Sequence, residues 1–194
     1  MWLLVYSLVQ RGKRFAWWCD MKEKELIGKI EQWAEDRNLI LGSTPQKQFI
    51  KLMEEFGELC AGIARNDKEK IKDSIGDCFV VVVVLSKQLD LDNIELCSLD
   101  IINEFSYGKY EHSSTMEQLL EAAHNLGGIS IPISQDWEVD KEWIELFFIN
   151  LIIISLFEGL NFSECVKHAY EQIKDRKGKM IDGVFVKEED LNKE

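Results

Sequence analysis

The chain is poor in the residues that interrupt helices, with two prolines, Pro45 and Pro132, among 194 residues. Proline removes a backbone donor and clashes inside a helix, so its scarcity leaves room for long helices. Segments alternating apolar with polar residues, the mark of half-buried strands, are missing too. Both absences predict an all-α fold. Basic residues are in deficit, 23 Lys and Arg against 35 Asp and Glu for a net charge of −12, which argues against a nucleic-acid partner because such a partner wants a basic face. The five cysteines (Cys19, Cys60, Cys78, Cys97, Cys165) are scattered, odd in number and without a Cys-x-x-Cys pair. They are read as buried thiols in a reducing compartment, so the expected location is cytoplasmic. There is neither a Walker Gly-Lys-Ser/Thr loop nor a nucleophile triad, and His112, His124 and His168 lack metal-ligand spacing.

No apolar run is long enough to span a bilayer, and no membrane partner is expected. Trp2 to Val9 is apolar and is followed by Arg11, Lys13 and Arg14, the reverse of a secretory signal. Residues 1–20 are expected to lie outside the fold, with Met21 as the functional start; a weak membrane-surface anchor is the lesser reading.

What the chain does have is two acidic clusters, Glu54-Glu55-Phe56-Gly57-Glu58 and Asp73-Ser74-Ile75-Gly76-Asp77. On helices, Glu55 with Glu58 and Asp73 with Asp77 each project from one face. The polar stretch Ala64 to Lys68 has the length of a turn between antiparallel helices. Closing that hairpin gathers four carboxylates, which repel unless a cation sits among them. A hard divalent ion such as magnesium, bound by few carboxylates plus waters and phosphates, fits that donor set. Both clusters abut apolar residues, and carboxylates facing a bundle interior are costly without compensation. The bland alternative is a solvated acidic face.

Leu26, Ile27, Ile30 and Trp33 recur at helical spacing within residues 22–37. Ser43 or Thr44 caps a helix over about Gln46 to Ala64 with Pro45 in its first turn, and another runs from Glu69 to about Gln88. The valines at 80–84 have strand propensity. They are predicted helical because no turn residue separates them from Asp73–Asp77, and an all-around apolar helix is a central one.

At these residues the chain resembles the MazG-like all-α nucleoside triphosphate pyrophosphohydrolases, whose signature is Glu-x-x-Glu on one helix and Glu-x-x-Asp on the next. Gln48 to Leu59 is similar to the first element, Ile75 to Phe79 with the following valines to the second, and Glu171 to Met180 to a basic tail helix of short phage and Firmicute members. One departure stands out: the family's second Glu falls on Ser74, with Asp73 as its candidate replacement. The resemblance implies magnesium-dependent hydrolysis of a nucleoside triphosphate to monophosphate and pyrophosphate in nucleotide-pool house-cleaning. Manganese is the alternative ion. Glu55, Glu58, Asp73 and Asp77 are the expected metal ligands. Glu54 and Glu58 are the expected catalytic carboxylates, and Lys51, Lys174, Arg176, Lys177 and Trp33 the substrate contacts. Arg37, Asn38 and Tyr170 are further candidates for base or sugar. The rival reading is a catalytically inactive acidic interaction protein of the same fold.

The later half faintly repeats the first. Leu119 to Gly128 aligns on Leu52 to Gly62, and Phe148 to Ile154 on Asp77 to Val83, with the loop Ile131 to Asp136 absorbing the shift. In this register Glu55 becomes Ala122, Glu58 becomes Asn125 and Asp77 becomes Phe148. The expected architecture is a bundle of antiparallel helix hairpins: a catalytic unit at 21–95, a degenerate second unit at 96–165, and a basic C-terminal helix and tail at 166–194. The second unit is read either as an attached partner, a pseudo-dimer within one chain, or as chance likeness of amphipathic hairpins. A homo-oligomer is the other way to cover the apolar faces.

Overall fold

The computed structural model describes residues 24–91, 110 and 112–191. The readings on residues 1–20, Cys19, Cys97 and the stretch 96–109 lie outside them. Seven helices and one β-hairpin make up the described residues: α1 (24–36), α2 (Leu39–Gly42), α3 (Pro45–Arg65), α4 (Lys68–Gln88), α5 (Thr115–Gln135), α6 (Lys141–Phe157), α7 (Phe162–Ile173), β1 (Gly178–Ile181) and β2 (Val184–Lys187). The all-α expectation holds, with a hairpin added at the C-terminal end.

The two long hairpins are set by their caps. Thr44 accepts a hydrogen bond from the Lys47 amide and Pro45 opens α3, where its missing donor costs nothing. Asn66 ends α3 in the left-handed region and Asp67 caps α4 through the Lys70 amide, so two residues reverse the chain. The valine run is helical as predicted: Val80 to Leu85 are all buried, and α4 is the central helix, packed on α3, α6 and α7.

The second hairpin, α5–α6, repeats this grammar. Ser114 caps α5 through the Glu117 amide, Asp136 ends it in the left-handed region, and Asp140 caps α6. The loop expected at Ile131–Asp136 is a helix as far as Gln135, with Pro132 inside it. Ile129 and Ile133, buried on either side of the proline, carry the helix through.

Burial also corrects the repeat register. Buried Gln48, Phe49, Leu52, Glu55, Phe56 and Leu59 of α3 correspond to buried Gln118, Leu119, Ala122, Asn125, Leu126 and Ile129 of α5. At the ends of α4 and α6, the bonds Leu89 N to Leu85 O and Leu91 N to Ser86 O recur as Glu158 N to Ile154 O and Leu160 N to Ser155 O. Glu55 therefore matches Asn125 rather than Ala122, Glu58 matches Gly128, and Asp77 matches Leu146. Apolar positions recur every three or four residues, so a slip of one turn keeps the pattern while moving every polar residue. Phe79 and its counterpart Phe148 meet with ring centroids 5.0 Å apart and planes tilted by 54°, so equivalent residues of the two hairpins touch.

α7 crosses α4 at Gly76, where a Cβ would lie 2.4 Å from the Cys165 carbonyl oxygen. That approach brings the end of α7 over the acidic face of α4. The basic tail helix expected over Glu171–Met180 stops at Ile173. After a turn the chain forms β1 and β2, paired from Gly178↔Lys187 to Ile181↔Val184. Asp182 (φ 49°) and Gly183 (φ 75°) make the tight turn between them, and two positive φ angles suit an Asp-Gly pair. Among the described residues no single helix is long and apolar enough to cross a membrane.

Candidate active site

A cavity of about 530 Å³ opens between α3, α4, the end of α7 and the C-terminal hairpin. Five carboxylates line it: Glu54, Glu55 and Glu58 from α3, Asp73 and Asp77 from α4. Their helical spacing is the cause, since each set recurs within a turn of its own helix face. Ser74, at the position of the family's second Glu, is 2% exposed and outside the lining, whereas Asp73 one residue earlier is within it.

Cations of the chain hold these carboxylates. Lys51 Nζ lies 2.6 Å from Glu55 Oε1 and 3.0 Å from Glu54 Oε2. Lys70 reaches Glu58 at 3.1 Å, and Gln172 donates to Asp73 Oδ1 at 2.8 Å, with His168 at 3.4 Å. Glu55 is buried, 8% exposed, so its pairing with Lys51 is compensation for a charge that would otherwise be costly. Asp77 has no such partner among the described residues. Burial, then Glu55 and Asp73 nearby, push its carboxyl up to about 7, against the opposing pull of Arg176 and Lys51.

Whether a divalent ion fits can be tested on this donor set. All five groups are carboxylate oxygens, the ligands of a hard cation, and Asp77 is a carboxyl whose ionisation is disfavoured until positive charge arrives. Among the described residues no three His, Cys, Asp or Glu side chains already stand at ligating distance around one point. The ammonium groups of Lys51 and Lys70 draw Glu54, Glu55 and Glu58 to themselves. The donors suit magnesium or manganese, and Glu55, Glu58, Asp73 and Asp77 are the residues that would hold it.

Basic and apolar groups line the cavity as well. Arg176 and Lys187 do so with Trp33 and Phe185, whose rings meet edge to face at 6.4 Å, and so does Lys47 of α3, which donates to the Asp182 carbonyl. Trp33 is also a strut, its indole N–H donating to the Ile173 carbonyl at 2.8 Å. Arg37 lies over the Trp33 ring and donates to the Arg176 and Lys174 carbonyls at 2.9 and 2.8 Å. It is outside the lining and clamps the turn that carries Arg176. Asn38, left-handed, opens α2, and Tyr170 is also outside the lining. Lys174 pairs with Glu171, and neither it nor Lys177 reaches the cavity. With α7 ending at Ile173, the turn separates Arg176 from its basic neighbours.

Lys47, Lys187, Gln48, Gln172 and Phe185 were missed by the sequence reading. Lys47 stands one turn before Lys51 and was legible from spacing. Lys187 and Phe185 needed the hairpin, whose signal was the Asp182-Gly183 pair between apolar residues.

A second cavity of about 530 Å³ lies against α5 and α6. Its lining repeats the first. Gln48, Lys51, Glu54 and Glu55 become Gln118, Glu121, His124 and Asn125; Asp77, Val80, Val81 and Val84 become Leu146, Ile149, Asn150 and Ile153.

Residues 43–97, from the entry of α3 past the end of α4, match the model of the MazG nucleotide pyrophosphohydrolase domain. That match falls on the same two helices whose motifs resemble the family. Among curated proteins, the chain is 69% identical over 71 residues to an uncharacterized 18.2 kDa protein in the rep–hol intergenic region of Haemophilus phage HP1 (strain HP1c1). That stretch is 37% of this chain and spans 44% of the relative's length. No solved structure matches.

Proposed function

We propose that this protein hydrolyses nucleoside triphosphates to a monophosphate and pyrophosphate with magnesium, manganese being the alternative ion. The carrying observation is one cavity lined both by five carboxylates and by the basic residues Lys47, Lys51, Arg176 and Lys187. A polyphosphate with its counter-ion needs both. When bound, the ion neutralises phosphoryl charge and acidifies the attacking water. The chain's own groups do the rest. Arg176, Lys47 and Lys51 orient the phosphates, and Trp33 with Phe185 offers an apolar surface to the base. A water oxygen bonds to the α-phosphorus, the bond to the bridging oxygen breaks, and pyrophosphate leaves with that electron pair. Glu54, an exposed carboxylate at the cavity edge, receives the water's proton within hydrogen-bond reach; Glu58 is the other carboxylate proposed for that role.

Free thiols at Cys60, Cys78 and Cys165 suit a reducing compartment, and the cytoplasm is the proposed location. The test is pyrophosphate release from a panel of common and modified nucleoside triphosphates, with magnesium or with chelator, comparing the parent with Glu58→Gln and Glu55→Gln. Metal-dependent release lost in the variants supports the reading. A folded parent that releases nothing from any triphosphate overturns it in favour of an inactive interaction protein, with Ser74 as the explanation.

A further inference from the structure

The second cavity has kept its volume and changed its chemistry. Where Lys51 and Glu55 face the first cavity, Glu121 and Asn125 face the second, and Leu146 replaces Asp77. No Lys or Arg lines it among the described residues, so a polyphosphate has nothing to pair with and a magnesium ion has lost its donors. A half with no remaining task would be expected to become apolar, because buried amides are costly unless fully satisfied. The opposite is seen at Asn150, 3% exposed, which stands where the first hairpin has Val81. Its amide nitrogen donates to Gln118 Oε1 at 3.0 Å, and its oxygen accepts from Asn125 Nδ2 at 2.7 Å. Gln118 Nε2 in turn donates to Glu121 Oε2 at 3.1 Å.

This network leaves two acceptors open. Asn125, 6% exposed, gives one amide N–H to Asn150, and its oxygen takes no side-chain bond among the described residues. Glu121 accepts through Oε2 and has Oε1 to spare. Two acceptors, one of them anionic, face a cavity whose apolar wall is Leu120, Leu146, Ile149 and Ile153, with Tyr110 and His124 also in its lining. About 530 Å³ falls within the ordinary range of small-molecule sites, which combine apolar walls with a few placed polar groups.

We propose that this cavity is a binding site for a phosphate-free, amino-bearing heterocycle of about nucleoside size, whose N–H groups meet Glu121 and Asn125. It is a separate site from the acidic cavity and does not depend on that cavity's activity. The test is isothermal titration of the full chain with adenosine and cytidine, which carry an exocyclic amino group, and with uridine, which lacks one. Two variants accompany the parent. Glu121→Lys, at an exposed position, installs the ammonium that Lys51 supplies in the first hairpin, and Ile149→Trp fills the cavity. The expected result is binding of adenosine and cytidine at least tenfold tighter than uridine, weakened tenfold or more by each folded variant, with pyrophosphate release unchanged by either. No binding of adenosine or cytidine by the parent at millimolar concentration overturns the proposal. So does equal binding of uridine, or binding that survives Glu121→Lys, which decides the matter even where Ile149→Trp fails to fold.

Discussion

Asp77→Asn is expected to make the metal-free protein more stable while abolishing its response to magnesium. The folded state holds the Asp77 carboxyl at about 7, raised by burial first and by Glu55 and Asp73 after it. In the unfolded chain the same group titrates near 4. A raised folded value means that the folded state binds the proton more tightly. Its stabilisation is fully present below about pH 4 and is lost as pH climbs toward 7. Three pKa units correspond to about 4 kcal/mol, a ceiling, because Asp77 keeps some solvent contact. Discounting for that screening leaves roughly 2 kcal/mol, or about 4–8 °C in Tm for a chain of this size. Asparagine keeps the shape and removes the charge. The assay is thermal unfolding of parent and variant in chelator between pH 5 and 8, then with magnesium at pH 7.5. The difference in Tm is expected to grow with pH in favour of the variant, and magnesium to raise the parent's Tm alone, since a ligand selective for the native state stabilises it by mass action. A difference that is flat with pH, or a variant that responds to magnesium like the parent, refutes the reasoning.

Gly76→Ala places a methyl 2.4 Å from the Cys165 carbonyl oxygen and 2.7 Å from the Ala169 Cβ. Overpacking of this kind costs about 1–3 kcal/mol, and α7 must shift from the cavity, so both a lower Tm and a higher KM are expected; a stable variant with unchanged KM would show that the crossing has slack. Arg37→Ala releases the two carbonyls that fix the turn before Arg176, and KM for a triphosphate is expected to rise severalfold with kcat little changed. An unchanged KM there would remove Arg37 from any positioning role. Pro132→Ala supplies the amide donor absent inside α5. Proline costs a helix interior about 3 kcal/mol, so stabilisation of roughly 1 kcal/mol or more is expected in denaturant unfolding, and a destabilised variant would show that the proline shapes the path from α5 into α6.

The acidic hairpin α3–α4 was legible because its information is local. Thr44-Pro45 marks a start, Asn66-Asp67 a reversal, and the carboxylates fall at spacings that only a helix gathers on one face. The valine run was read correctly against its strand propensity because its context fixed the period. The C-terminal hairpin was hidden by composition: Lys174, Arg176, Lys177 and Lys179 look like a basic helix end, and the Asp182-Gly183 turn lies beyond them. Pro132 misled in the opposite sense. Proline is a strong stop signal by itself, but Ile129 and Ile133 bury on the same face across it, and tertiary packing outweighs local preference.

The corrected register changes what the second half means. In the earlier alignment Glu55 fell on alanine and Asp77 on phenylalanine, which describes decay toward core. In the structural register Glu55 falls on Asn125, a neutral polar residue one methylene shorter, and Lys51 falls on Glu121, a reversal of sign. Decay alone does not account for a valine position becoming a buried asparagine bonded on both sides. The two hairpins share one backbone plan and bury equivalent apolar positions, with Phe79 against Phe148 at their meeting point. Their cavities differ at the polar positions: five carboxylates with Lys47, Lys51, Arg176 and Lys187 line one, and Gln118, Glu121, His124, Asn125 and Asn150 line the other. A scaffold that repeats itself can thus be specialised twice, because the apolar positions that hold each hairpin together are separate from the polar positions that choose its ligand.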